Sequence, residues 1–270
     1  MRLFSSRPGS PGARLRRRRA IARLLLGLVV AASAATCAGS QDGCGGDPNG
    51  CIRVLFIGNS YTYVNDLPGT FSHLAASGGR RVATDSVAVG GATLADALDS
   101  ADRRQRMASA RWGFVVLQEQ SQIPASPQLR QQDMFPAART LAGLVEAAGA
   151  EPVLFETWAH RDGWPEAGIS SYGLMQAQVD DAYDTLSREL GVPEAPVGSA
   201  WSIVRGQDPG LALWVDDGVH PTPAGTYLAA CVFYATIFHA DPRGLSFTDG
   251  LAAEDAHLLQ ETAARAAGFP

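Results

Sequence analysis

Lysine is absent from this sequence of 270 residues, so all 22 of its basic side chains are arginines. Eight of those arginines lie at or before position 23, and no acidic residue precedes Asp42. The apolar stretch that follows, Leu24 to Ala35, is too short to cross a bilayer as a helix, which takes about 20 residues. It ends in the small-residue cleavage signal Ala32-Ser33-Ala34. This pattern predicts that residues 1–34 are a secretory signal peptide, with a short membrane anchor as the alternative.

Removal of that leader changes the charge balance of the chain. Fourteen arginines then remain against 27 acidic residues, which gives a net charge of −13. A strongly acidic protein does not suit phosphate-rich surfaces, so nucleic acids and anionic membranes are excluded as partners. The sequence also lacks the Gly-Lys-Ser/Thr of a phosphate-binding loop.

Only four cysteines are present, and none of their spacings forms a Cys-x-x-Cys pair or a zinc site. Three of them lie in a Gly-rich linker over residues 35–51, where a Cys44–Cys51 disulfide is expected in an oxidising compartment. Cys37 follows Ala34-Ala35-Thr36, which resembles a lipoprotein acylation site, although Thr is unusual there. The chain is predicted to be exported to the periplasm or the extracellular space, with membrane attachment only through a lipid at Cys37. Cys231 is predicted to be an inert core thiol.

Beyond the linker, short apolar runs alternate with helical patterns. Strands are predicted at Ile52–Ile57, Ala83–Val89, Phe114–Gln118, Pro152–Glu156 and Ala195–Gly198. Helices are predicted at Pro68–Ser77, Thr93–Asp102, Met134–Ala148, Ala177–Leu190, Pro223–His239 and Leu251–Ala267. Strands separated by helices favour one α/β domain over residues 52–270, with a parallel sheet and helices on both faces. The irregular segment His160 to Gly173 is predicted to be a long surface loop of the kind that lines sites.

Ser60 lies where the first predicted strand gives way to a helix. The buried run Val54 to Ile57 stops at Gly58, and Asp66 can cap the helix that follows. Open α/β folds place their sites at this carboxyl edge of the sheet, where a serine hydroxyl is exposed and backbone N–H groups face developing negative charge. Taken alone, the pattern is more often that of a loop serine supporting a turn.

A second polar motif lies near the C-terminus. Asp217 and His220 are three residues apart, just ahead of a helix that Thr222 can cap. In a turn, this spacing brings the carboxylate against Nδ1 of the imidazole and leaves Nε2 free. A serine nucleophile needs such a base, and the base needs an orienting group. Asp216 is the alternative orienting carboxylate, but the spacing favours Asp217.

These two motifs, Ile57-Gly58-Asn59-Ser60 and Asp217-Gly218-Val219-His220, resemble those of the SGNH/GDSL hydrolase superfamily. The sequence is similar to a bacterial branch that carries Gly-Asn-Ser in place of Gly-Asp-Ser. The resemblance covers about residues 52–240. It implies a flavodoxin-like, three-layer α/β/α sandwich with a roughly five-stranded parallel sheet. It also implies a Ser-His-Asp triad that hydrolyses carboxylic esters, carbohydrate acetyl esters among them.

The same resemblance implies an oxyanion hole, a set of N–H donors for the negatively charged oxygen of the transition state. Its expected donors are the backbone N–H groups of Ser60 and of Gly91, from the block Val89 to Thr93. The family's usual Asn is missing from the third block, Leu117 to Ser121. Gln120 is expected to replace it, with Gln118 as the alternative.

Tyr61 and Trp158 are candidates for the wall of a substrate pocket, and ordinary core packing explains Trp158 equally well. The resemblance implies no metal and no organic cofactor. The expected partner is a small-molecule or carbohydrate ester, and the chain is expected to be a monomer. Two alternatives remain open: a surface glycan-binding module without turnover, and a phospholipase or thioesterase on the same fold.

Overall fold

The computed structural model describes Cys44, residues 50–109 and residues 111–270. The predicted signal peptide and the predicted lipid site at Cys37 lie outside these residues. The expected disulfide between Cys44 and Cys51 is present. Within the part of the chain that the structure describes, no helix is both long and apolar enough to cross a membrane.

Five parallel strands form one sheet in the order β2-β1-β3-β4-β5. Their ranges are Ile52–Gly58 for β1, Val82–Ala88 for β2, Phe114–Leu117 for β3, Glu151–Glu156 for β4 and Glu194–Pro196 for β5. This order is that of flavodoxin-like folds, and the predicted α/β class is confirmed. Strand β2 lies next to β1 at one edge of the sheet. The chain then crosses back, and β3 pairs with the opposite edge of β1. The loops that leave β1 and β3 therefore separate above the sheet, which is where such folds open a crevice.

Eleven helices are found among the described residues. They are α1 (Ser60–Tyr63), α2 (Leu67–Ser77), α3 (Leu94–Asp99), α4 (Ala101–Ser109), α5 (Gln122–Ala125), α6 (Pro127–Leu129), α7 (Phe135–Ala147), α8 (Tyr172–Leu190), α9 (Val197–Gln207), α10 (Pro223–Phe238) and α11 (Ala253–Ala266). Two 3₁₀ turns, Val64–Asp66 and Pro165–Ala167, and one π-helical turn, Arg130–Met134, complete the set. Asp66 caps α2 as predicted, because its side chain accepts a hydrogen bond from the N–H of Gly69.

Two sequence-based boundaries are wrong for local reasons. The helix predicted at Thr93–Asp102 is two helices, α3 and α4, because Ser100 between them has an extended backbone. The strand predicted at Ala195–Gly198 ends at Pro196, and the next two residues open α9, which the sequence did not indicate. Gly198 packs so closely on buried side chains and backbone of the neighbouring segments that a Cβ there would overlap them.

Helix α8 begins five residues earlier than its predicted start at Ala177. Ser171 caps it by accepting a hydrogen bond from the N–H of Leu174. The predicted loop from His160 to Gly173 is therefore shorter than expected and contains the 3₁₀ turn Pro165–Ala167.

Each face of the sheet carries its own apolar core. On one face, Phe56 packs edge-on against Phe71 of α2 and Phe233 of α10. On the other, Leu55 and Ile57 pack with residues of α3, α7 and α8. Strand β1 is buried on both faces because it lies inside a parallel sheet, and each large side chain contributes about 1.5–3 kcal/mol when fully buried. The buried strand β1 therefore anchors the residues that directly follow it.

Candidate active site

Ser60 is the first residue of α1, directly after β1 and the cap residue Asn59. The five residues Gly58 to Thr62 are called the serine turn below. The Asn59 side chain accepts a hydrogen bond from the N–H of Tyr61 at 3.1 Å, which caps the short helix. Position 58 requires glycine, because a Cβ there would overlap the side chains of Gln118 and Thr62.

Gln118 supports the serine turn from the end of β3. Its Oε1 accepts hydrogen bonds from the N–H of Asn59 at 2.9 Å and from Oγ1 of Thr62 at 3.0 Å. Because the side chain is buried beneath the turn, Gln118 is not the oxyanion donor that the sequence left open as an alternative to Gln120. It fixes the backbone that carries Ser60.

Ser60, His220 and Asp217 form a continuous hydrogen-bonded chain. The Oγ of Ser60 lies 2.9 Å from Nε2 of His220, and Nδ1 of the same ring lies 2.7 Å from Oδ2 of Asp217. These are the contacts that the two motifs predicted. They join residues that lie 160 positions apart, which gives the serine a base and gives the base an orienting carboxylate.

The residues Asp217 to His220, called the acid–base turn below, are organised by the carboxylate of Asp217. Its Oδ1 accepts hydrogen bonds from the N–H groups of Val219 at 2.8 Å and His220 at 2.9 Å. Partial burial raises the pKa of Asp217, but these bonds and the contact with the His220 ring outweigh it and lower the pKa to about 2. The carboxylate is therefore ionised at neutral pH.

Two contacts hold the acid–base turn near the serine turn. Thr222 caps α10 through the N–H of Gly225, as predicted. Asn65, in a left-handed conformation with φ 54°, donates its side-chain N–H to the carbonyl of Pro221 and to Thr226 Oγ1. Asn65 lies five residues after Ser60, so this contact links the two halves of the site.

The glycine block lies beside the serine turn because Asn59 Nδ2 donates to the carbonyl of Ala92 at 2.9 Å. Gly91 has φ 70°, a conformation that glycine adopts without strain. The backbone N–H groups of Ser60 and Gly91 donate no hydrogen bond to any other described residue. Both residues line the same cleft, so two donors are available to a ligand there.

Gln120 lines the cleft, but its side chain is already engaged. Its Nε2 donates to Oε1 of Gln122 at 3.2 Å, and its Oε1 accepts from the N–H of the same residue at 2.9 Å. An amide nitrogen carries two hydrogens, so one of them stays available to a ligand. The buried Glu119 holds the loop in place, since its Oε1 accepts from the N–H groups of Gln120 and Leu94.

Trp158 does not line the cleft. Of its two interpretations, pocket wall and core packing, the structure supports core packing. The side chain is fully buried, and its Nε1 donates to the carbonyl of Val219 at 3.0 Å. Its ring stacks between Tyr61, at 4.2 Å between centroids, and Trp201, at 4.0 Å. Tyr61 does line the cleft and meets the His220 ring edge-on. Trp158 therefore supports the floor of the site from below.

The cleft at the triad has a volume of about 300 Å³. Polar and apolar atoms contribute equally to its wall: Asn59, Gln120, Ser121, Gln122 and His160 join Ser60 and His220 there, and Tyr61 and Val219 are its large apolar members. No group of three or more His, Cys, Asp or Glu side chains among the described residues is placed to hold a metal ion.

Ser121 and His160 were not predicted as site residues. The Oγ of Ser121 lies 2.9 Å from Nε2 of His160, and both residues face the cleft. The sequence carried a signal for them, because Ser121 follows β3 and His160 follows β4. The carboxyl ends of these neighbouring parallel strands meet at one edge of the sheet.

Comparisons with known proteins agree with this architecture. No protein-family model and no curated protein matches the chain. Among solved structures, a protein from Slackia heliotrinireducens assigned to the SGNH hydrolases is 30% identical, with a TM-score of 0.60. The match covers 69% of this chain and 99% of that one.

Two more distant structures share the fold. A DUF4886 family protein from Bacteroides uniformis is 17% identical, with a TM-score of 0.70 over 80% of this chain and 94% of that one. An acetyl-xylooligosaccharide esterase from a Geobacillus species is 15% identical, with a TM-score of 0.52 over 69% and 94%. The strand order, the serine turn and the relative from Slackia together show that this chain belongs to the SGNH/GDSL hydrolase superfamily.

Proposed function

We propose that this chain is a serine esterase with Ser60 as nucleophile, His220 as general base and Asp217 as the carboxylate that orients it. The observation that carries the proposal is the hydrogen-bonded chain from Ser60 through His220 to Asp217 in an open cleft. A serine hydroxyl becomes a nucleophile only when a base in contact with it takes its proton. Nε2 of His220 is placed to take that proton, while Nδ1 is held by Asp217.

The reaction follows from these contacts. Ser60 Oγ attacks the ester carbonyl carbon while its proton passes to Nε2 of His220, and Asp217 stabilises the imidazolium that forms. The carbonyl oxygen, now negatively charged, is bound by the free N–H groups of Ser60 and Gly91. Collapse of this intermediate breaks the bond to the alcohol, which takes the proton from His220. Water, activated by the same imidazole, then releases the acid and restores Ser60.

Gln120 is our candidate for the third oxyanion donor. One amide hydrogen is held by Gln122 and the second is available, so Gln120 can donate without leaving its place. A donor of this kind typically contributes about 2.7–4 kcal/mol to transition-state stabilisation. Without it, the oxyanion would depend on two backbone N–H groups and turnover would be slow.

The cleft favours a short acyl group and a hydroxylated alcohol. Its volume of about 300 Å³ is small, and its wall contains amide, hydroxyl and imidazole groups, which a long acyl chain would bury without hydrogen bonds. Carbohydrates offer hydroxyl groups that pair with such a wall. We therefore propose acetyl esters of carbohydrates as the substrate class, in preference to phospholipids or long-chain thioesters.

Export is part of the proposal. The arginine-rich leader with its apolar stretch supports it, and so does the Cys44–Cys51 disulfide, because disulfides persist in oxidising compartments. We expect a monomeric protein in the periplasm or outside the cell. Mass spectrometry of the mature N-terminus tests cleavage after Ala34 and would also reveal a lipid on Cys37.

The function is tested by covalent labelling and turnover. A fluorophosphonate probe should modify the protein, with the label mapped to Ser60, and 4-nitrophenyl acetate should be hydrolysed faster than long-chain 4-nitrophenyl esters. Ser60→Ala should remove labelling and turnover by about 10⁶-fold while thermal stability stays unchanged, since the hydroxyl contributes little packing. Ser109→Ala, which changes an exposed serine of α4, is the matched control. Wild-type turnover by the Ser60→Ala protein would rule out serine catalysis.

A further inference from the structure

The cleft contains a second hydroxyl–imidazole pair beside the triad. Ser121 follows β3, His160 follows β4, and their side chains are joined by the 2.9 Å contact between Oγ and Nε2. The triad uses neither residue. Ser121 is almost fully buried and His160 is half-buried, yet both face the same cleft as Ser60 and His220.

The protonation state of the pair follows from its surroundings. Burial lowers the pKa of His160, and His220 nearby lowers it further, against opposing effects of Asp217 and Glu166. The imidazole is therefore uncharged at neutral pH. Nδ1 has no hydrogen-bond partner among the described residues, and in the tautomer in which Ser121 donates to Nε2 it carries the remaining hydrogen. The pair is left with one N–H donor at Nδ1 and one acceptor, the Ser121 oxygen.

Tyr61 adds an unpaired polar atom to the same region. Its hydroxyl oxygen is buried near Ser121 and Trp158, but it forms no hydrogen bond of good geometry with any described residue. Buried polar groups normally have a partner, so an unpaired one beside a cleft indicates that a ligand or water completes it. Tyr61 immediately follows Ser60 in the chain, so the residue with the unpaired hydroxyl adjoins the proposed nucleophile.

We propose that Ser121 and His160, supported by Tyr61, bind free hydroxyl groups on the alcohol portion of the ester, next to the acyl group that Ser60 attacks. This inference rests on the proposed esterase function and narrows it to esters of polyols. A hydroxyl group both donates and accepts, so adjacent hydroxyls of a sugar satisfy the Ser121 oxygen and the Nδ1–H of His160 together. An alcohol without hydroxyls leaves both groups unpaired when it displaces water, and that lowers its affinity.

Two esters that differ by one hydroxyl test the proposal. The wild-type protein should hydrolyse trans-2-hydroxycyclohexyl acetate with a kcat/KM about tenfold above that for cyclohexyl acetate, mainly through KM, since one net hydrogen bond corresponds to about that factor. His160→Phe keeps a ring of similar size but no nitrogen, and Ser121→Ala removes the acceptor. Each should abolish the preference, measured as the ratio of kcat/KM for the two esters. His160→Asn should restore part of it, and His257→Ala on the exposed face of α11 is the control.

A preference that survives in both variants, or that is absent from the wild-type protein, overturns the proposal. A merely structural role of the pair would instead lower turnover of both esters alike and reduce the melting temperature. If neither ester is hydrolysed, the esterase proposal fails. Sugar binding at the Ser121–His160 pair is then tested separately, without turnover. Xylobiose should then shift the imidazole ¹⁵N resonances of His160 in the Ser60→Ala protein, and unchanged resonances would refute the site.

Discussion

Gln118, at the end of the neighbouring strand β3, accepts two hydrogen bonds from the serine turn, whereas the acid–base turn is organised by a carboxylate of its own, that of Asp217. Asn59, Thr62 and Gln118, which fix the serine turn, are 3%, 0% and 1% exposed. The side chains of Asp217 and His220 are 46% and 35% exposed, and one carboxylate supplies most of their contacts. Ser60 is therefore fixed by the core and His220 by a local turn. Changes to the acid–base turn should affect chemistry alone, and changes beneath the serine turn should affect stability as well.

The largest effect in this comparison is expected from Asp217→Asn. The amide no longer stabilises an imidazolium or favours the correct tautomer, so kcat should fall by about 10⁴-fold, less than for Ser60→Ala. Because the side chain is exposed, the melting temperature should change little. Steady-state kinetics with 4-nitrophenyl acetate and thermal unfolding measure the two quantities.

Asp216→Asn is the matched control, since that side chain lies one residue away and is exposed. Its kcat should equal that of the wild-type protein. Equal losses in the two variants would mean that local charge near His220, and not orientation by one carboxylate, sets the rate.

Gln120→Ala is expected to have the next largest effect. If the amide donates to the oxyanion, turnover should fall by about 10²–10³-fold with much less change in substrate affinity, because the donor acts on transition-state charge. Gln120→Asn should recover little, since the shorter arm leaves the amide out of reach. A loss confined to KM would instead make Gln120 a wall of the cleft.

Gln118→Ala tests the serine turn, which is the buried one of the two turns compared. The substitution leaves the N–H of Asn59 and the hydroxyl of Thr62 without their acceptor, and an unsatisfied buried group costs about 1–3 kcal/mol. The free energy of unfolding should fall by at least that much, and turnover should fall too because the turn that carries Ser60 relaxes. Urea unfolding measures the first and steady-state kinetics the second.

Gln207→Ala, at the exposed end of α9, is the control for Gln118→Ala and should leave both quantities unchanged. Full activity in the Gln118→Ala protein would show that β1 and α1 alone position the nucleophile.

The last prediction concerns the pH dependence of stability. Burial raises the pKa of Glu119 from 4.5 to about 8, against the lowering effect of the N–H groups of Gln120 and Leu94. Between these values the folded state holds a proton that the unfolded state has lost, so this contribution is complete below pH 4.5 and is lost as the pH rises toward 8. In the wild-type protein the free energy of unfolding should fall with rising pH across this window. Glu119→Gln keeps the side-chain acceptor and should reduce the slope of that fall by about 1.4 kcal/mol per pH unit.

Urea unfolding at several pH values across this window measures that slope. Glu151→Gln, at the exposed start of β4, should leave the slope as it is in the wild-type protein. Identical slopes for the Glu119→Gln and wild-type proteins would show that Glu119 is ionised in the folded state.

The same contrast explains what could be predicted from the sequence. The acid–base turn is local, so the spacing of Asp217 and His220 was enough to indicate their contact. The apolar run of β1 similarly indicated a central strand. The roles of Gln118 and of the Ser121–His160 pair depend on which strands become neighbours, and a linear pattern does not contain that order. Helix α9 was missed because its first residues, Val197 and Gly198, read as strand and turn, and tertiary packing decided otherwise.

The separation of 160 positions between Ser60 and His220 also affects the order in which parts of the molecule fold. Contacts between distant segments form late, because closing a long loop costs entropy before any contact compensates for it. Strand β1 can pair with β2 and β3 while the C-terminal segment is still unfolded, and Asn65 then has no Pro221 to bind. During refolding, the far-ultraviolet signal of the sheet should therefore recover before esterase activity does. The chain should therefore have a formed sheet, but no contact between Ser60 and His220, until the segment that carries His220 has docked.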